Sequence, residues 1–206
     1  MTNSNVNTDP TTPGQEGVGP DPRASLATVI AEVDRLIEGT GSDQLGLVTP
    51  CPEFTVKELN EHLVLVLRRI AAIGRGEHWS SVSEEPVEGG WLDDFRTATA
   101  EIERVWADPA MLAGEYEVPW GVLPAVPVLL SYVAEIATHA WDLATATGQE
   151  LTVADEVLAP SLGVLQFGLP AEGRDDPEMP FDPVVDPGPG APVVLQIAGW
   201  LGRKVA

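Results

Sequence analysis

The chain has 206 residues, of which 44% are hydrophobic, and this is enough for one domain with its own core and a short tail. Its 11 basic and 32 acidic residues give a net charge of -21, so the surface repels the phosphates of nucleic acid. No apolar run reaches the ~18 residues of a membrane span, and the N-terminus lacks the pattern of a signal peptide. Together with a single cysteine, Cys51, these features predict a cytoplasmic protein with no nucleic-acid or membrane partner.

The first 20 residues are rich in Pro, Gly, Asn and Thr and have almost no apolar side chains. Such a segment cannot bury enough surface to offset its ordering entropy, so we expect a disordered tail over 1–20 and one domain over 21–206. Asp21 followed by Pro22 is a helix-start pattern, and the apolar residues after it recur at helical spacing. The first helix is therefore expected to run to about Glu38.

A second helix begins near Thr55, which forms a capping-box pattern with Glu58, and Phe54 is expected to pack onto Leu59 as a hydrophobic staple. The buried stripe of this helix has a histidine where an aliphatic residue would be ordinary, since its members are Leu59, His62, Val66, Ile70 and Ile73. The spacing thus predicts that His62 points inward. The alternative is a core histidine satisfied by one hydrogen bond, or one at the edge of the stripe facing water.

Two further long helices are predicted. The loop over 74–90 holds His78, which we expect to face solvent, and an amphipathic helix then runs from Trp91 to before Pro109. Prolines mark 108–127 as a connector, and the next helix runs from about Ala125 to Thr147, before a terminating glycine.

A fifth helix is predicted over 153–167, an irregular proline-rich segment over 168–192 and a short helix over 192–201 with Val193, Ile197 and Trp200 facing inward. The fold class is therefore all-α, a four-helix bundle with a short additional C-terminal helical segment.

The fourth helix carries Glu135, His139 and Asp142 in an otherwise apolar segment. At ~100° per residue these three side chains lie within about 60° of one another, so they share one face of the helix. Charged groups are rarely buried unless they are paired or bind a metal, and ordinary pairing at i and i+4 is the simpler alternative.

His62 and the Glu135–His139 pair lie on the inward faces of two long helices, and facing helices of a bundle are where metal ligands converge. Two imidazoles and one carboxylate suit a divalent metal with open coordination positions, with zinc favoured and nickel, iron or manganese as alternatives. Asp142 is the candidate catalytic residue, as a helper that orients an imidazole or a bound water; the alternative is a helix-end charge.

Two segments carry a family resemblance. Residues 49–63 resemble T-P-C-P-x-W-x-V-x-x-L-x-x-H-L, a signature of actinobacterial DinB-like proteins, with Phe54 in place of the usual Trp. Residues 135–148 resemble their E-x3-H-x-W-D-L-A-x-A-T-G segment, and 201–204 are similar to a closing L-G-R. These proteins are grouped with the metal-binding domain of mycothiol-dependent maleylpyruvate isomerase, and the resemblance covers roughly residues 22 to 205.

The resemblance implies a four-helix bundle whose metal is held by His62, Glu135 and His139. In related enzymes the metal accepts a low-molecular-weight thiol, which becomes a thiolate and attacks an electrophile. The leading hypothesis is therefore a metal-dependent enzyme of thiol transfer or thiol-assisted isomerisation that uses mycothiol, with a metal-bound thiolate as nucleophile. The alternatives are a non-catalytic metal-binding or small-ligand-binding protein, and a structural bundle without metal.

Several other residues have two interpretations. Glu61 is a candidate helper but is expected to be a surface charge, because it points ~100° away from His62. We expect solvated surface cations at Arg68, Arg69 and Arg75, the alternative being a site for the anionic end of a thiol cofactor. Cys51 is expected to be a buried structural thiol rather than a nucleophile or ligand. The sequence is compatible with a homodimer, but it does not determine the oligomeric state.

Overall fold

A computed structural model describes residues 21–85, 90–174 and 181–205. The predicted tail over 1–20 lies outside these ranges and stays a prediction. Four long helices form a bundle, α1 Pro22–Glu38, α2 Val56–Gly74, α3 Trp91–Val105 and α4 Ala125–Thr147. Two shorter helices follow, α5 Asp155–Gly168 and α6 Val193–Trp200. The prediction of an all-α bundle with a short C-terminal helical segment is confirmed.

The order of helices around the bundle differs from their order along the chain. The main contacts join α1 to α3 and α4, and α2 likewise to α3 and α4. The first and second helices therefore stand diagonally, and α2 lies beside α4. This neighbour relation brings the two histidine-bearing helices into contact. In the described ranges no helix is both long enough and apolar enough to cross a membrane.

Short-range hydrogen bonds define where α2 begins. The Thr55 backbone N–H donates to Glu58 Oε2 at 2.7 Å, and the Glu58 N–H donates to Thr55 Oγ1 at 3.4 Å. This is the reciprocal capping box that the sequence predicts. The backbone N–H groups of Val56 and Lys57 bond to the carbonyls of the preceding loop, each at 3.0 Å. The start of α2 is thus fixed from both sides.

The connector between α3 and α4 contains a β-hairpin, which the sequence analysis did not predict. Strands β1 Glu115–Val118 and β2 Gly121–Pro124 pair antiparallel, with Val118 opposite Gly121. The prolines of this region predicted only a connector, and they fall at positions where the sheet needs no backbone N–H donor. Pro119 lies in the tight turn and Pro124 ends the second strand, and such positions tolerate proline.

The helices α5 and α6 pack on one another and on α4, so they cover one side of the bundle. The predicted inward face of α6 is confirmed at Ile197, and its two ends are shifted by about one residue. Val194, Ile197 and Ala198 are buried, while Val193 and Trp200 are only half-buried. The indole N–H of Trp200 donates to the Leu169 carbonyl at 2.9 Å, and this bond holds the ring at the edge of the core.

The irregular segment predicted over 168–192 agrees with the structure where it is described, except for its first residue, which ends α5. Residues 175–180 of that segment lie outside the described ranges. The described part passes beside α6, where the Val185 N–H donates to the Gly199 carbonyl at 2.9 Å.

Candidate metal centre

Three side chains from α2 and α4 meet in the bundle. His62, Glu135 and His139 each offer a ligand atom, and these atoms all lie within 4.8 Å of one another. His62 Nε2 is 3.6 Å from Glu135 Oε1, and the two imidazole ring centroids are 4.8 Å apart. His139 and Glu135 are one helical turn apart on α4, and the facing helix supplies His62. The arrangement is the one expected of ligands that share one ion.

The burial of these atoms favours a bound metal over a polar cluster without one. Among the described residues, His62 Nε2 and Glu135 Oε2 have no hydrogen-bond partner, although both atoms are buried. Leaving a buried polar atom unpaired costs about 1–3 kcal/mol, so such atoms need a reason. Imidazole nitrogen and carboxylate oxygen are donors that zinc accepts, and a divalent cation bound there would satisfy both.

A second layer of polar contacts holds His139 from behind. His139 Nδ1 is 3.1 Å from Asp142 Oδ2, and the Asp142 carboxylate has no exposed surface. The Arg203 guanidinium donates to both oxygens of this carboxylate, from Nε to Oδ1 at 3.1 Å and from the terminal nitrogen to Oδ2 at 3.2 Å. A carboxylate acceptor at Nδ1 fixes the proton on that nitrogen and leaves Nε2 free to bind a metal.

Asp142 is therefore placed to position His139 rather than to touch a substrate. Its carboxylate is fully buried and lies between an imidazole and a guanidinium. The helix-end charge considered as an alternative does not describe such an environment. As a catalytic candidate, Asp142 can act only through the imidazole that it orients.

The electrostatic environment keeps the His139 ring neutral. Burial lowers the pKa of His139, and the nearby His62 lowers it further, while the hydrogen bond to Asp142 and the charge of Glu135 oppose the shift. A metal ligand must be the unprotonated imidazole. Because the pKa is lowered, His139 has no proton to lose at Nε2 near neutral pH.

The ring of Phe54 packs against the candidate centre. Its centroid is 4.8 Å from that of His62, with the planes inclined by 28°, and 6.0 Å from that of His139. The sequence predicts that this ring packs on Leu59 as a staple, and that contact stays a prediction. The stacked contact with His62 restricts the orientation of the imidazole.

His62 also lines a cavity of about 430 Å³ formed by α2 and by residues from the segments before and after it. This size lies in the range of small-molecule sites. The other lining residues are mostly charged and include Glu58, Glu61, Arg68, Arg69 and Glu84. A larger groove of about 690 Å³ lies between α1 and α3, but none of the three candidate ligands lines it. We therefore take the smaller cavity as the one connected with the centre, because His62 joins the two.

Two of these lining residues differ from their predicted environments. Glu61 was expected to be a surface charge, but its side chain is only 13% exposed and pairs with Lys57 Nζ at 3.2 Å. Arg69 was expected to be a solvated cation, but its side chain is 16% exposed. It pairs with Glu84, and its guanidinium lies 5.2 Å from the centre of the Trp79 ring. Both line the cavity, and Glu84 and Trp79 in the loop after α2 contact Arg69.

The remaining candidates lie outside the centre. Arg68 pairs with Asp94 at 3.2 Å, and Arg75 pairs with acidic residues on its own loop and on α3. His78 is 46% exposed, as expected. Cys51 is buried, and burial raises the pKa of its thiol although the nearby Arg203 opposes this. A buried thiol with a raised pKa is a structural residue rather than a nucleophile.

Arg203 is the residue near the candidate centre that the sequence motifs did not identify. It lies 61 residues beyond Asp142, so no local periodicity connects the two positions. The only signal in the sequence was the closing Leu-Gly-Arg, which was noted as part of the family resemblance without a role.

Comparison with known proteins agrees with this arrangement. The family described as "Mycothiol maleylpyruvate isomerase N-terminal domain" matches residues 26–144, which include all three candidate ligands. Two relatives from Mycobacterium tuberculosis, from strains CDC 1551 / Oshkosh and ATCC 25618 / H37Rv, are both described as uncharacterized proteins. Each is 29% identical over 178 residues, which is 82% of this chain and 91% of the relative. No solved structure gives a significant match. The chain therefore belongs to the family of mycothiol maleylpyruvate isomerase N-terminal domains, a DinB-like family of metal-binding helical bundles.

Proposed function

We propose that this protein is a metal-dependent enzyme of thiol transfer or thiol-assisted isomerisation, with His62, Glu135 and His139 as its metal ligands. The observation that carries the proposal is that three possible ligand atoms lie within 4.8 Å of one another. His62 and Glu135 each also have a buried side-chain atom with no hydrogen-bond partner among the described residues. Zinc is the metal that best suits two imidazoles and one carboxylate, and nickel, iron and manganese are alternatives.

The chemistry follows from the donor set. A divalent metal held by His62, Glu135 and His139 would lower the pKa of a coordinated thiol and so would supply a thiolate nucleophile at neutral pH. In a transfer, the sulfur forms a bond to an electrophilic carbon, the leaving group departs with its bonding pair, and the thiol proton passes to solvent. The chain's own residues orient the reaction, since Asp142 fixes the tautomer of His139 and Phe54 restricts His62.

The thiol in this proposal is mycothiol, and the support is the family to which the chain belongs. The partners are thus a small-molecule thiol and an electrophilic substrate. The cavity beside His62 has room for a small molecule, and its charged side chains favour a polar one. Such chemistry suits a reducing cytoplasm. A homodimer stays a prediction.

A non-catalytic metal-binding or small-ligand-binding protein is the second candidate. The observation that favours it is restricted access of small molecules to the centre. Of the three predicted ligands, only His62 is among the described residues that line the cavity. The Asp142 carboxylate has no exposed surface. A bundle that holds a metal without turning over a substrate would have the same centre.

Zinc binding tests the metal centre. The wild-type protein, prepared without a histidine tag and reconstituted, should hold about one equivalent of zinc. Each of His62→Ala, Glu135→Ala and His139→Ala should weaken zinc binding by about tenfold or more, because each removes a ligand. His78→Ala is the matched control, since His78 is exposed and lies outside the centre. A wild-type protein that retains less than about a tenth of an equivalent contradicts the metal proposal.

Thiol binding separates the enzyme from the binding protein. Mycothiol added to the cobalt-substituted protein should produce a sulfur-to-cobalt charge-transfer band, and a panel of electrophiles should then give turnover. Metal binding without a spectral change and without turnover favours the non-catalytic alternative.

A further inference from the structure

The C-terminal end of the described chain is anchored at the back of the candidate centre through Arg203. A turn after α6 directs this residue inward. Gly202 has a φ of +85°, and a side chain there would come within 2.6 Å of Asp182 Cβ, so the turn favours glycine on both counts. The Arg203 N–H then donates to the Ala198 carbonyl at 2.9 Å, which closes the end of the helix.

The guanidinium reaches a place where several segments of the chain meet. It bonds to both oxygens of Asp142 on α4, and it also interacts electrostatically with Cys51 and Glu53 in the segment before α2. That same segment supplies Phe54, which stacks on His62. Arg203 therefore contacts the carboxylate that supports His139, and its charge interacts with Glu53, which precedes the ring stacked on His62.

The Asp142 carboxylate depends on Arg203 because it is completely buried. A buried carboxylate without its partner loses charge-assisted hydrogen bonds and turns toward whatever donor remains. Its Oδ2 atom is the acceptor for His139 Nδ1 at 3.1 Å, so a change in the carboxylate is transmitted to the imidazole. A planar guanidinium fixes both oxygens at once, which a single ammonium group cannot do.

We infer that Arg203 is a positioning residue that links docking of the C-terminal segment 181–205 to metal binding by His62, Glu135 and His139. This inference rests on the proposed metal centre. If the docked segment orients His139 for the metal, linkage requires that the metal in turn stabilises docking by the same factor. The C-terminal segment is then part of the metal centre, although it supplies no ligand.

The first test is zinc affinity, measured by competition with a chromophoric chelator. Arg203→Gln should weaken zinc binding about 10- to 100-fold, the range for outer partners of metal-bound histidines. Arg203→Lys should fall between the wild type and Arg203→Gln, because it keeps the charge but not the paired donors. Lys204→Gln is the matched control, since this neighbouring cation is exposed, and it should bind zinc like the wild type.

The second test is hydrogen exchange, which reports the reciprocal effect. Zinc should slow exchange of the Leu201 and Arg203 amides, which bond to the Ile197 and Ala198 carbonyls at 3.0 and 2.9 Å. In Arg203→Gln the same zinc saturation should leave their exchange rates unchanged. A folded Arg203→Lys variant, checked by circular dichroism, keeps the test valid if Arg203→Gln does not fold.

A double-mutant cycle distinguishes positioning from general stabilisation. If Arg203 acts through Asp142, Arg203→Gln should have little further effect on zinc affinity in an Asp142→Asn background. Equal losses in both backgrounds overturn the inference, as does a wild-type affinity in Arg203→Gln. A wild-type protein that binds no zinc would overturn the proposed function as well, so the two failures are distinguishable.

Discussion

Each predicted ligand lies near a different aromatic or polar neighbour. His62 is held by the Phe54 ring and His139 by the Asp142 carboxylate, whereas Glu135 lies near the buried hydroxyl of Tyr132. That hydroxyl has no hydrogen-bond partner among the described residues, and burial, together with the charge of Glu135, raises its pKa. Tyr132 is therefore a neutral group beside the carboxylate ligand.

The stacked ring next to His62 gives a prediction at this scale. Aromatic pairs contribute about 0.5–1.5 kcal/mol beyond simple burial, so Phe54→Ala should weaken zinc binding about two- to twelvefold. Phe54→Trp keeps an aromatic face and should retain the wild-type affinity. Chelator competition measures both. An alanine variant that binds zinc as tightly as the wild type would show that the stack does not orient the imidazole.

Cys51 gives a second prediction. Because burial raises the pKa of its thiol, the thiolate fraction at pH 8 is smaller than that of a free cysteine. The folded protein should therefore react with a disulfide reagent about tenfold or more slowly than the unfolded protein does. Absorbance of the released thiol measures the rate, with the urea-unfolded chain as reference. Rapid labelling of the folded chain would contradict a structural role.

Between elements, a buried carboxylate joins α1 to the loop that follows α4. Glu32 accepts hydrogen bonds from the Thr152 backbone N–H at 2.8 Å and the Thr152 hydroxyl at 3.0 Å, and it pairs with Arg35 at 2.7 Å. Burial by itself would raise the pKa of Glu32, but the hydrogen bonds outweigh it and the pKa is lowered. This contact holds α1 against the end of the helix that carries two predicted ligands.

The sign of that shift predicts how stability depends on pH. The pKa of Glu32 is lowered from its ordinary 4.5, so the ionised carboxylate stabilises the folded state fully above pH 4.5. This stabilisation is lost as the pH falls through the pKa of Glu32 in the folded protein. Glu32→Gln should lose about 1.5–3 kcal/mol of unfolding free energy at pH 7, and its stability should fall less on acidification. Urea unfolding from pH 7 to pH 3 measures this. The exposed Glu156→Gln is the control, and equal acid sensitivity of wild type and Glu32→Gln would contradict the assignment.

For the whole molecule, the dominant physical property is charge. A net charge of -21 on 206 residues makes the compact state repel itself, and dissolved ions screen this repulsion. Raising sodium chloride from about 10 to about 150 mM shortens the screening length from ~30 to ~8 Å. The free energy of unfolding of the metal-free protein should then rise by about 1 kcal/mol, which corresponds to an increase of about 2–4 °C in Tm. Calorimetry measures the shift, with a neutral solute at equal osmolality as control, and an unchanged Tm would contradict it.

The sequence alone determined the elements whose signals are local. A helix start depends on a capping residue and its neighbours, so Pro22 and Thr55 were sufficient to predict where α1 and α2 begin. A buried stripe depends on spacing of three and four, which placed His62, Glu135 and His139 on inward faces. The prolines predicted a connector but not the hairpin inside it, because proline excludes only interior strand positions.

Only the tertiary structure decided which inward faces meet and what lies behind them. The pairing of α2 with α4 results from packing of whole helices, and the cavity that Glu61 and Arg69 line is completed by segments outside α2. The contact of Arg203 with Asp142 spans 61 residues and depends on how α6 docks. Periodicity shows which side of a helix is buried, but it contains no information about which distant segment will bury it, because that choice minimises the free energy of the entire chain.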